Sequence, residues 1–149
     1  MIQNILLGSA YKDIYERIES LQATNMRQWG KMDIAQMLTH CNIPIEEAIG
    51  KTPAKDSSNF LSKTLIKWVV LRKKPFGKNL PTVPSFVVTD ERMFEEEKKR
   101  LLDNVKAFYE KGQKHGEFAP HPGFGKLSKE DWGFLTWKHL DHHLQQFSA

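Results

Sequence analysis

Apolar residues return every three or four positions along four long stretches of the chain. That is the period of a helix with one face turned inward. The first stretch follows Ser9, a residue suited to capping a helix, and carries Tyr11, Ile14, Tyr15, Ile18 and Leu21. Lys12, Asp13, Glu16, Arg17 and Glu19 fall between them and predict a solvated face. A second helix is predicted over residues 33–49, where Ile34, Met37, Leu38, Cys41, Ile45, Ala48 and Ile49 share a broad face. Gly50 and Pro53 stop it, and Pro44 inside it predicts a kink one turn after His40. The third starts at a cap on Thr89 or Asp90, carries Phe94, Leu101, Leu102, Val105, Phe108 and Tyr109, and ends at Gly112. The last spans residues 128–149, with Ser128 as cap and Leu127 and Trp132 at the spacing of a hydrophobic staple.

The stretches between these helices have their own patterns. Residues 60–72 predict a short helix dense in bulky apolar side chains, namely Phe60, Leu61, Leu65, Ile66, Trp68, Val69 and Leu71. It is expected to be core, with its lysines solvated; β-branched Val69 and Val70 leave a buried strand over 65–71 as the competing reading. Residues 73–88 hold Pro75, Gly77, Pro81 and Pro84 and predict an extended crossover. Glu95 and Glu96 stand four positions before Lys99 and Arg100, the order that favours surface pairs of about 0.2–0.5 kcal/mol each. Residues 114–126 are a Gly/Pro loop on which His115 and His121 are expected to be exposed. The architecture predicted is all-α. It is an antiparallel four-helix bundle with a long crossover and a short extra helix between the second and third helices, in one domain over residues 1–149.

Composition narrows the class. The 149 residues are 40% hydrophobic and 27% charged, the balance of a globular chain with a proper core. A net charge of +4, with acidic residues spread among basic ones, gives no basic stripe, and no nucleic-acid motif occurs. The lone Cys41 has no internal partner for a disulfide. The first residues lack a basic segment ahead of an apolar run, and the longest apolar run contains Lys67 and is far too short to span a bilayer. A cytoplasmic protein is expected, with neither nucleic acid nor membrane as partner.

Candidate chemistry sits on the last helix. With Trp132 at the origin of a helical wheel, Thr136, Leu140, His143 and Phe147 lie about 20–80° to one side and His139 about 20° to the other. His142 falls about 100° from His143, outside that arc. His139 and His143 are thus an inward HxxxH pair, a spacing that lets two imidazoles reach one cation. His40, at the border of the core face of another helix, is the best third ligand. Three imidazoles with an open fourth position describe a catalytic or ligand-binding centre for divalent zinc, nickel or iron. Glu47, two turns from His40 on the same side, is a candidate base or partner to it. The competing reading is a helix edge whose histidines titrate near neutral pH. Cys41 reads as a small buried hydrophobe, and Trp29, Trp68, Trp132 and Trp137 as core.

The order of parts resembles the DinB/YfiT-like metalloenzyme superfamily. The matching features are MLTHC around His40 and KHLDHH with His139 and His143 near the end of the last helix. The segment HPGFGKLSKEDWGFLTWKHLDHHLQQF looks like the C-terminal signature of an uncharacterised branch of that group, and KNLPTVPSFVVTDERMFEEEKKRLLDNV like its crossover and third helix. The resemblance implies a four-helix bundle whose three histidines hold one divalent metal at one end. Some members are thiol-dependent transferases using bacillithiol or mycothiol, others are described as metal-dependent hydrolases, and members often form dimers. A small-molecule substrate, a low-molecular-weight thiol as possible co-substrate and a homodimer are the expectations that follow.

A non-catalytic helical module is the alternative. It would bind a small apolar ligand or a partner helix, with the histidine site vestigial. The aromatic-rich residues 60–76 motivate it, and because Lys63, Lys67, Arg72, Lys73 and Lys74 accompany the apolar residues there, a weak membrane-surface or anionic-ligand role is a variant of the same alternative.

Overall fold

The computed structural model describes all residues 1–149 and is helical throughout, with no β-strand. Five α-helices follow in chain order: α1 (Gly8–Ser20), α2 (Ile34–Ala48), α3 (Lys67–Val70), α4 (Phe94–Gln113) and α5 (Lys129–Gln146). A π-helical turn, Ser62–Ile66, leads into α3, and a single 3₁₀ turn, Pro84–Phe86, interrupts the crossover. Helices α1 and α2 each pack on both α4 and α5, and the α2–α4 contact is the most extensive.

The caps explain most of the boundaries. Asp33 accepts from the Gln36 amide at 2.8 Å while the Gln36 side chain accepts from the Asp33 amide at 3.0 Å, a reciprocal box that starts α2. Ser128 accepts from the Asp131 amide at 3.0 Å and starts α5 as expected. Gly50, at φ +78°, follows α2 in the left-handed region where glycine is favoured. Two predicted caps are corrected. Helix α1 begins at Gly8, so Ser9 lies inside its first turn, and α4 begins at Phe94 rather than beside Thr89 or Asp90. Neither helix has a side-chain cap. In α4 the first-turn Glu95, Glu96 and Glu97 face the positive helix end instead.

One contiguous cluster of 21 buried apolar residues joins the helices. It includes Ile14 and Ile18 of α1, Met37, Leu38 and Ile45 of α2, Leu101, Val105 and Phe108 of α4, and Trp132, Leu140 and Leu144 of α5. The extended lead-in lies against α5, where the Ile5 amide donates to the Gly133 carbonyl at 3.1 Å.

Helix α2 is enclosed on nearly all sides and carries two kinds of polar group inward. Towards α4 it offers Asn42 and Glu46. Arg100 grips Glu46 with two bonds of 2.7 and 2.6 Å and reaches Glu97 at 2.9 Å. The Asn104 amide donates to Asn42 and Glu46, each at 2.8 Å. Burial alone would raise the Glu46 carboxyl, but the bonds from Arg100 and Asn104 outweigh it and hold its pKa below the usual range. The expected Glu96–Arg100 surface pair is therefore replaced by an inward one, and Lys99 bonds Asp103 at 2.6 Å rather than Glu95.

The segment over residues 60–72 is helical, as expected, but it is not core. Phe60, Leu65 and Trp68 remain 85%, 55% and 60% exposed. Of the four tryptophans only Trp132 and Trp137 are buried.

Arg100→Met is expected to lower stability by about 2–4 kcal/mol, because it leaves the buried Glu46 carboxylate without its partner. The measurement is urea unfolding at neutral pH, and the loss should shrink as pH falls and Glu46 takes up a proton.

Candidate metal centre

The packing of α2 on α5 brings His40 against His139 and His143. One ring nitrogen from each of the three lies within 4.8 Å of the others. The ring centroids are 4.8 Å (His40–His139), 4.7 Å (His40–His143) and 4.8 Å (His139–His143) apart, each pair steeply inclined. His40 and His143 are buried, while His139 keeps some exposure. The HxxxH pair and His40, which borders the core face of its own helix, thus stand close enough to bind a single metal ion.

The outer nitrogens carry the information about tautomer. His40 Nδ1 lies 2.7 Å from the Phe86 carbonyl, which can only accept. The proton is therefore on Nδ1, and neutral His40 turns a lone pair on Nε2 inward. His143 Nδ1 lies 2.8 Å from Gln146 Oε1. The Gln146 amide donates from Nε2 to the Trp29 carbonyl at 2.8 Å, which fixes that side chain with its oxygen towards His143. His143 thus also holds its proton outside and its Nε2 lone pair inside. His40 Nε2 and His139 Nε2 are 2.8 Å apart. Two lone pairs repel at that distance unless His139 donates a proton or a cation lies between them. Inward lone pairs with the outer N–H engaged are the arrangement of metal-ligating imidazoles, so the donor set fits a divalent ion.

Gly30 makes the Gln146 contact possible. At φ +83° it occupies the left-handed region, and a Cβ there would come within 2.6 Å of Gln146 Nε2. Trp29 and Gly30 together form the wall on which Gln146 is seated.

Burial lowers the pKa of all three histidines, with neighbouring imidazoles adding to the effect at His139 and His143. His139 falls well below its ordinary value, and His143 falls to about 3. The expectation of histidines titrating near neutral pH at a helix edge is not met at these positions.

The cluster opens on a cavity of about 460 Å³. Its walls are largely apolar, with Phe76, Leu80, Val83, Phe86, Phe124 and Leu135 among them, and no aspartate or glutamate lines it. His121 lines it too, which corrects the expectation of an exposed loop histidine. Its ring stacks on Phe124 at 4.4 Å, and Nδ1 accepts from the Gly123 and Phe124 amides at 3.0 and 3.2 Å. Its proton is therefore on Nε2, and burial lowers its pKa to about 4. His142 stands beside the cluster, between the Trp29 and Phe76 rings, and is only half-buried.

Glu47 is corrected. It does not line the cavity, and the partner of His40 is the Phe86 carbonyl. Glu47 is buried with Oε2 unbonded, and burial raises its pKa. Cys41 is buried, and its thiol is pushed far above the range in which it would act as a nucleophile. The residues missed from sequence are Gln146 and Phe86. Gln146 follows His143 by three positions on one helix face, so that spacing was a usable signal. Phe86 acts through a backbone carbonyl, which no side-chain pattern reveals.

Fold and site together define an all-helical protein with a buried three-histidine cluster at the base of an apolar cavity. The chain belongs to the family described as Protein of unknown function (DUF1569), whose profile matches residues 6–149. No curated protein and no solved structure matches it.

The metal-free protein is expected to lose stability as pH falls from 7 to 5. Unfolded imidazoles take up protons near pH 6.5, whereas folded His143 and His121 wait until about 3 and about 4. The unfolded state binds more protons in that window, so stability declines below about pH 6.5 and levels off near 3. Thermal melts in chelator across this range check it, and a flat profile between pH 7 and 5 contradicts it.

Proposed function

We propose that the protein is a metal-dependent enzyme of the DinB/YfiT-like type, built as an antiparallel four-helix bundle. The contacts of α1 and α2 with both α4 and α5 support that arrangement, since they set the four long helices in a closed ring. His40, His139 and His143 hold one divalent ion of zinc, nickel or iron. The observation that carries the reading is the convergence of three ring nitrogens, two of them with the outer N–H engaged by Phe86 and Gln146. When bound, the ion supplies Lewis-acid activation of water or a small thiol for attack on an electrophile.

The chain's own groups have separate tasks. The apolar walls receive the body of a small substrate and exclude water from the cluster. His121 turns a protonated Nε2 to the side away from its two backbone donors, which suits it to donate to an acceptor on the substrate. With no carboxylate in the cavity, no side chain offsets the charge of a divalent ion. An anionic group, such as a thiolate or carboxylate, is therefore favoured at the open position. The same lack of a carboxylate base favours the second reading, a non-catalytic module that binds a small apolar anion at the ion.

Metal analysis of purified protein is expected to find about one divalent ion per chain, and His139→Ala with His143→Ala to abolish it. Metal-free protein that takes up none on addition overturns the reading, as does full retention in the double variant. Protein that is loaded but turns over neither ester nor thiol-plus-electrophile probes supports the non-catalytic module.

Gln146→Leu and Gly30→Ala are each expected to weaken metal affinity by about 10–100-fold while leaving the three ligands in place. Competition with a chelating dye measures this, and unchanged affinity in both variants removes Gln146 from the site.

A further inference from the structure

The crossover between α2 and α4 carries a surface that the proposed chemistry does not use. Within ten residues, Phe60, Leu61, Leu65, Ile66, Trp68 and Val69 are all more than 40% exposed. A folded chain rarely leaves so much contiguous apolar side chain in water without a partner for it. The segment is also held in place rather than loose. Lys67 donates to the Lys126 carbonyl at 3.1 Å, and the Ser57 amide donates to the Pro122 carbonyl at 2.9 Å. The buried Lys138 amine of α5 donates to the carbonyls of Val70 and Arg72 at 2.7 and 3.0 Å. Val70, Leu71 and Phe76 turn inward against the core, so the outer side chains are left over after the inner ones have packed.

Charge identifies the occupant. Lys63, Lys67, Arg72, Lys73, Lys74 and Lys78 accompany the apolar face, and no aspartate or glutamate occurs from residue 57 to residue 89. The acid just before this stretch, Asp56, is bonded to the amide and hydroxyl of Ser58. The Arg72 guanidinium lies over the Trp68 ring at 4.8 Å, an aromatic–cation pair with one apolar side and one charged end. A second copy of the chain meeting this face about a two-fold axis would set these cations against their own images, with no acid in the segment to answer them. A layer of anionic headgroups over hydrocarbon answers both the charge and the apolar surface.

We propose that residues 60–74 dock on an anionic lipid membrane surface, lying in the plane of the interface with Phe60, Leu65 and Trp68 inserted and the lysines among the headgroups. This is independent of the metal centre, since none of those three side chains lines the cavity.

The test is co-sedimentation of the full chain with vesicles of phosphatidylcholine alone or mixed with phosphatidylserine. Binding is expected to the mixed vesicles, little to the neutral ones, and less as salt rises. The variant carrying Phe60→Ser, Leu65→Ser and Trp68→Ser is expected to lose more than tenfold in partitioning with helix content unchanged. Lys63→Gln and Lys73→Gln should each cost about fivefold. Absence of binding to mixed vesicles at low salt overturns the proposal, as does binding that survives the triple variant. A concentration-dependent dimer in analytical ultracentrifugation that Trp68→Ser abolishes also overturns it, by assigning the face to a second copy.

Discussion

Three imidazoles enclosed together cannot all be charged, and two of them have the second nitrogen committed to a fixed acceptor. That constraint ties together parts of the chain that are otherwise far apart. His40 comes from α2 and His139 and His143 from α5, so the cluster exists only where those helices pack. The proton on His40 is held by the crossover through the Phe86 carbonyl, and the proton on His143 by Gln146. Gln146 is itself oriented by the backbone beside Gly30. Two stretches without regular helix therefore set the tautomers of a site whose side chains all come from helices.

Helix α2 bears the load of this arrangement because it faces two environments. Its α4 side is polar and charged, with Asn42 and Glu46 bonded to Asn104 and Arg100. Its α5 side presents neutral His40. Arg100 keeps Glu46 ionised with two short bonds, while burial keeps His40 unprotonated. A shift of α2 along or around its axis would break the bidentate Arg100 contact and displace His40 together. A bond that looks purely structural thus also positions a ligand.

Much of the site was legible because helix periodicity reports directions. The HxxxH spacing put His139 and His143 on one arc, and the wheel separated His142 from them. His40 at the edge of its face was also legible, since an edge is where one helix turns towards a third neighbour. The all-helical class and the cap at Ser128 followed from the same local rules. What failed depended on tertiary surroundings. His121 was assigned to solvent because its loop is rich in glycine and proline, yet those residues let the ring fold back between Phe124 and Trp132. Glu95 and Glu96 were matched to Lys99 and Arg100 by spacing alone, while Arg100 found a better-enclosed partner on another helix. Residues 60–72 were assigned to the core because bulky apolar content signals a need for cover without saying what provides it.

That last segment also links the surface to the cavity. Val70 and Phe76 line the cavity from the inside, while Trp68 and Val69 look outward from the same turn of chain. The Lys138 amine clamps this turn to α5 through two carbonyls and sits 4.2 Å from the Phe76 ring. Burial lowers the pKa of Lys138 to about 8, and the two carbonyls and the ring face are the groups that meet its amine there. One short stretch therefore has an inner side that shapes the apolar pocket above the histidines and an outer side that is free of that task. Lys138 lies one position before His139, so this clamp seats the stretch on the same helix that carries two of the three ligands.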